Sequence, residues 1–225
     1  MDSSDLHYVL DRWFDREVKP RLSGKAVLIR YGDDFLLGFE RLDDAQRVMA
    51  VLGKRLGRFG LTLHPDKTRL LPFRRPPVGQ RRGKGPATVD FLGFTLYWSR
   101  TRSGRWGIRC KTRSARLRRA IQSVADWCRR HRHEPVTVQH DALRRRIQGH
   151  FNYYAVPGNI DALSAFRDEV RRLWREALRR RSQRSRLTWE RMSRIADRWL
   201  PPARIVHPHP SVRFAASTQG RSPVR

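Results

Sequence analysis

The spacing of apolar residues changes once along this chain, near Arg113, and no other feature restricts the fold as much. Beyond that point apolar side chains recur three and four apart. The sets are Leu117, Ile121, Val124, Ala125 and Cys128; Leu143, Ile147, Phe151 and Tyr154; Leu163, Phe166, Val170, Leu173, Trp174 and Leu178; and Trp189, Met192, Ile195 and Trp199. Such spacing lays each set on one face of a helix. Four helices are predicted: one from about Arg113, one capped by Thr137 and stopped before Pro157-Gly158, one from Ile160 to about Arg181, and one capped by Thr188 and ended by Pro201-Pro202.

Before Arg113 the runs are short. Leu6, Val9, Leu10, Trp13, Phe14 and Val18 predict an amphipathic helix over about 5–19, stopped by Pro20. Lys25–Arg30 and Phe35–Phe39 flank Tyr31-Gly32-Asp33-Asp34, the pattern of a β-hairpin. Asp43 or Asp44 can cap a following helix with Ala45, Val48, Leu52, Leu56 and Phe59 inward and Gly60 at its end. A strand is predicted from Thr68 to Phe73. A second hairpin follows, from Val89 to Trp98 and from Trp106 to Cys110, turning at Thr101–Gly104. The predicted class is α+β: β-hairpins with helices, then an all-helical unit, with no internal repeat.

Charge divides the chain at a different place. Residues 1–73 hold 13 basic and 11 acidic residues, a net of +2, whereas residues 74–225 hold 36 and 10, a net of +26. The boundary, Arg74 to Gly85, reads as a flexible basic loop. Folding does not need this excess, because self-repulsion opposes the compact state. A polyanion resolves the conflict, and nucleic acid fits best, since each neutralised phosphate releases counterions. Seven Trp and ten Phe argue for a folded protein. A spanning helix needs about 18 apolar residues in a row, and the sequence has no such run. The opening Met1–Asp5 is acidic and short, unlike a secretory leader. Cys110 and Cys128 match no zinc spacing and fit a reducing compartment, so the expected location is cytoplasmic. The histidines, including His131, His133, His207 and His209, form no metal constellation.

Asp33 and Asp34 carry the chemistry. Gly and Asp favour turns, so the pair reads as ordinary turn residues. That is the plain reading of the bare pair; the sharper one is hard oxygen ligands for Mg²⁺, able to hold ions against nucleotide phosphates and an attacking hydroxyl.

Context separates the two readings. The segment Val27–Phe39 resembles the palm hairpin of reverse transcriptases, where Tyr-x-Asp-Asp lies between apolar strands. Leu56–Thr68 resembles the family's helix-to-strand segment with its lysine, here Lys67. Val89–Phe94 is similar to the strand that grips the primer end. Leu143–Tyr154 resembles the thumb, or maturase-specific domain X, of group II intron proteins. Gly32 stands where that family usually has Ala.

The resemblance, from about residue 6 to about residue 210, implies three regions. Residues 1–111 would be the C-terminal part of the palm, 112–202 the helical thumb/maturase domain, and 203–225 an irregular basic tail. It implies RNA-directed DNA polymerase ancestry, with Asp33 and Asp34 as Mg²⁺ ligands. Lys67 would be a cation near the incoming triphosphate, although a solvated loop lysine is the plain reading. A complete member has the fingers and a further metal-binding Asp before the region matched here. The expectation is therefore an incomplete two-metal site and no autonomous polymerisation.

The expected partners are group II intron RNA, a primer–template, and a separately encoded N-terminal half in the split-polymerase reading. A non-catalytic RNA-binding fragment and a decayed reading frame are the alternatives. Gly93 is expected to let the backbone approach the primer, and Tyr31 to lie beside it. Arg144, Arg145 and Arg146, with Arg179, Arg180 and Arg181, are expected to face phosphate, because the guanidinium fork fits it. The exposed member of Tyr153 and Tyr154 could stack on a base, packing within the helix being the plainer reading.

Overall fold

The computed structural model describes residues 6–77, 87–101, 103–182 and 186–208. Most of the basic loop, the opening Met1–Asp5, His209 and the rest of the predicted tail lie outside the described residues. The architecture is mixed α+β, helices with small antiparallel sheets. The chain divides into two units, Met1–Leu92 and Gly93–Arg225.

In the first unit the opening helix winds in wide π-type turns, His7–Arg12 and Phe14–Val18, then tightens into a 3₁₀ turn, Lys19–Arg21. Pro20 therefore sits inside the closing turn, and the chain becomes extended at Leu22. Val9, Leu10, Trp13, Phe14 and Val18 are buried, as their spacing predicts. Strands β1 (Ala26–Tyr31) and β2 (Asp34–Phe39) pair antiparallel, with Ala26 opposite Phe39 and Tyr31 opposite Asp34. Leu28, Phe35, Leu37 and Phe39 pack on the buried cluster, and Phe14 meets Phe39 edge to face. Val27, Ile29 and Tyr31 alternate with them and are exposed.

Helix α1 (Leu42–Gly57) closes this core with Ala45, Val48, Leu52 and Leu56. Two expectations fail here. The backbone at the start of α1 receives no side-chain cap, because the carboxylate of Asp44 is turned back to the amides of Ser23 and Gly24. Phe59 lies past the helix end, exposed, under the guanidinium of Arg55. Gly60, at φ +71°, makes the turn that follows.

No strand forms over Thr68–Phe73. Leu70 and Leu71 are exposed, and among the described residues no strand pairs with this segment. A strand forms only where a neighbour offers a ladder to join, and among the described residues none lies alongside this segment.

The predicted strand from Val89 to Trp98 is broken in two, β3 (Val89–Phe91) and β4 (Phe94–Arg100). Leu92 and Gly93 between them both have positive φ, 48° and 78°, so the continuous strand expected from Val89 to Trp98 does not form.

In the second unit β4 pairs antiparallel with β5 (Trp106–Thr112), Phe94 opposite Thr112 and Arg100 opposite Trp106. Four helices follow: α2 (Ser114–Arg130), α3 (Val136–Tyr154), α4 (Ile160–Arg179) and α5 (Trp189–Trp199). Their inner faces share one core, with Leu143, Ile147, Leu163, Val170, Trp174 and Met192 fully buried. Thr188 caps α5 by accepting from Arg191 N. Thr137 does not cap α3: the helix begins one residue earlier, after Pro135, whose fixed φ suits that position. Gln139, buried, ties the preceding loop by donating to the carbonyls of His131, Arg132 and Glu134, and it accepts from Trp174 Nε1 at 2.8 Å. Trp189 and Trp199 face outward rather than into the core.

The hairpin β4–β5 belongs with these helices by its bonds. Asn159 Oδ1 accepts from Thr112 N, its Nδ2 donates to Thr112 Oγ1 and to Tyr154 O, each at 2.8 Å, and Phe94 packs on Tyr153 and Tyr154.

Candidate active site and nucleic-acid surface

The β1–β2 turn consists of two residues, Gly32 and Asp33. A tight hairpin of right-handed strands calls for positive φ at its first central position, and Gly32 supplies it at +59°. Nothing lies within 4 Å of where a Cβ on Gly32 would point, so the backbone rather than space favours glycine. Asp33 is thus at the tip and Asp34 opens β2, both exposed, beside Tyr31, which is 72% exposed.

Behind the turn stands an ion pair that the sequence did not reveal. Arg30 Nε donates to both oxygens of Asp11, at 2.8 and 3.1 Å, and Nη2 to Oδ2 at 2.8 Å. Its Nη1 donates to the carbonyl of Gly32 at 3.1 Å. Arg30 therefore ties the opening helix to the turn that carries the carboxylates. Burial would raise the Asp11 pKa, but the bonds from Arg30 and His7 outweigh it and hold the carboxyl below its ordinary value. The Arg30 pKa is raised, chiefly by its bond to Asp11 and in smaller part by the charge of Asp33. One signal for the pair was present: Ala26, Leu28 and Arg30 share one strand face, and an arginine on a packed face requires a partner.

The β1 entry is fixed in the same way. Asp44 is buried, and burial would raise its pKa, yet the amides of Ser23 and Gly24 and the side chain of Arg47 lower it.

Lys67 lies in the turn after His64, whose carbonyl accepts from Lys67 N and Thr68 N, and its side chain is exposed. Among the described residues no ion pair joins it to Asp33 or Asp34. Nor do three or more His, Cys, Asp or Glu gather into a metal-binding group among them. The donor chemistry of the Asp33–Asp34 pair, exposed carboxylate oxygens on adjacent residues, suits a hard divalent cation.

In the second unit Gly93 has a neighbour of its own. A Cβ there would meet the hydroxyl of Tyr154 at 2.8 Å, so the close approach this glycine permits is by a side chain of the same unit. Of the two tyrosines Tyr153 is the exposed one, stacked on Phe94 with centroids 5.7 Å apart. Arg144, Arg145 and Arg146 are exposed on α3, Arg146 lying 5.0 Å over the Trp127 ring. Arg179 and Arg180 are exposed at the end of α4. Arg181 is engaged instead, donating to the carbonyls of His133 and Glu134.

No helix among the described residues is long and apolar enough to cross a membrane. A search of curated proteins found no match. Residues 7–96 do match the family model described as reverse transcriptase (RNA-dependent DNA polymerase), so the Gly32–Asp33 hairpin and the elements that hold it are similar to those of a reverse transcriptase domain.

Proposed function

We propose that this chain is the palm-end and thumb part of a group II intron reverse transcriptase/maturase, binding intron RNA for splicing and retrotransposition. The observation that carries the proposal is the hairpin tip: Asp33 and Asp34 exposed beside Tyr31, on a turn braced by Arg30, within a segment that matches reverse transcriptases. In this reading Asp33 and Asp34 are ligands for Mg²⁺, which would neutralise charge developing on the transferred phosphoryl group. Lys67 contacts phosphate of the incoming nucleotide. Tyr31 and Gly93 lie along the primer end. Arg144, Arg145, Arg146, Arg179 and Arg180 hold the RNA backbone, consistent with the net +26 carried by residues 74–225.

Iron-directed cleavage tests the metal assignment. Fe²⁺ loaded in place of Mg²⁺ generates hydroxyl radicals that cut the nearest backbone. The expected cut falls between Arg30 and Phe35 and is lost in the variant carrying Asp33→Asn and Asp34→Asn. Cutting that is unchanged in the variant, or confined to other segments, would remove the metal role from this pair.

A further inference from the structure

The C-terminal ends of α2 and α4 lie side by side, joined where Arg181 donates to the carbonyls of His133 and Glu134. Between the two helices a groove of about 210 Å³ opens to solvent. Its floor is apolar, from Ala125, Leu173 and Ala177, and its rim carries Arg129, Arg132 and Arg180. The one carboxylate lining it, Glu176, is held by Arg172 Nη1. The Cys128 thiol at the groove is buried, and that burial pushes its pKa up to about 12, so it stays neutral and adds to the apolar surface.

The arginines at this end have different employments. Arg130 Nε donates to the Asp126 carbonyl and Arg181 to loop carbonyls, which is ordinary neutralisation of helix C-termini. Among the described residues the three rim arginines do not bond to helix-end carbonyls. Arg129 pairs with the Asp126 carboxylate, Arg132 donates to His133 Nε2, and Arg180 lies exposed along the groove.

We infer that this groove receives one unpaired nucleotide of bound RNA, its base over the Ala125–Leu173–Ala177 floor and its phosphates between Arg129, Arg132 and Arg180. The inference rests on the RNA-binding reading above. A bare phosphate would leave the apolar floor unused, and an apolar peptide would leave three guanidinium groups facing it. A nucleotide uses both, because unpaired bases are held by flat apolar or aromatic contact and their phosphates by arginine forks.

The test uses the full chain, a labelled single-stranded RNA and a duplex of equal length, with affinity followed across a salt series. The triple variant Arg129→Ala, Arg132→Ala and Arg180→Ala should lower the slope of log affinity against log salt by about 1.4 on single strands, at about 0.7 for each of the two phosphates that flank the nucleotide. Filling the groove with Ala125→Leu should weaken single-strand binding about tenfold with that slope unchanged, and leave the duplex alone. Circular dichroism and a thermal melt check that Ala125→Leu is folded, with Ala177→Val as the second filling variant. Wild-type affinity and slope in the groove variants would overturn this inference and leave RNA binding itself standing. A wild-type chain that binds neither RNA would overturn both.

Discussion

Arg30 grips both carboxylate oxygens of Asp11 and, with its remaining nitrogen, the carbonyl of Gly32 in the hairpin turn. Both side chains are mostly shielded, at 16% and 22% exposed. Removing either partner leaves a shielded charge without its counterpart, which costs about 1–3 kcal/mol. Asp11→Ala and Arg30→Ala should each lower stability by that amount in denaturant unfolding, and the double variant should lose less than the two added together. Full additivity would show that the pair does not act as one brace.

Its pH dependence follows from the direction of the shift. The Asp11 pKa is lower in the folded chain than in the unfolded one, so the pair contributes its full stability above the ordinary carboxylate range. That contribution falls away as pH drops through and below the range. Asp11→Asn should flatten this part of the acid limb of an unfolding curve.

Gly93 and Tyr154 supply a second test. Gly93→Ala should destabilise by about 1–2 kcal/mol for the left-handed backbone alone, and further because the new methyl would meet the Tyr154 hydroxyl. Adding Tyr154→Phe should recover the steric part and not the backbone part. A Gly93→Ala protein as stable as wild type would contradict the bend at Leu92–Gly93.

His150 is a neutral histidine among aromatic rings, 4.0 Å from Phe166 and 4.6 Å from Tyr154 between centroids. Burial pushes its pKa down to about 4. The unfolded chain therefore binds a proton near pH 6.5 that the folded chain refuses until about pH 4. Stability is complete above the unfolded value and is lost as pH falls through this window, by at most about 3 kcal/mol. His150→Phe should remove that slope in chemical denaturation between pH 6.5 and pH 4. A slope unchanged in the variant would place its source elsewhere.

The helical half of the fold was legible because each helix buries a stripe that repeats at helical spacing, as with Leu163, Phe166, Val170 and Trp174. The first hairpin was legible because Gly32 and Asp33 are turn residues between apolar runs. What the sequence hid depends on pairings between distant residues. Asp44 looks like a helix cap by position, but its partners are Ser23 and Gly24, about twenty residues earlier. Thr68–Phe73 has strand composition and, among the described residues, no neighbouring strand. Gly93 reads as room for a primer until Tyr154, from another element of the same unit, is placed against it. At the candidate site the carboxylates could be named from the motif. The brace behind them was legible only in part: Arg30 on the packed face of its strand calls for a partner, but Asp11, nineteen residues earlier on another element, is not marked as that partner by any spacing.

In the proposed function this chain recognises intron RNA rather than any polyanion. Binding of the purified protein to its group II intron RNA and to an unrelated RNA of equal length, across a salt series, tests it most directly. Binding to the intron should be tighter, with the difference persisting as salt rises and the phosphate contacts common to both weaken. Equal affinities that fall in parallel with salt would contradict it and leave only nonspecific attraction between the arginines and phosphate.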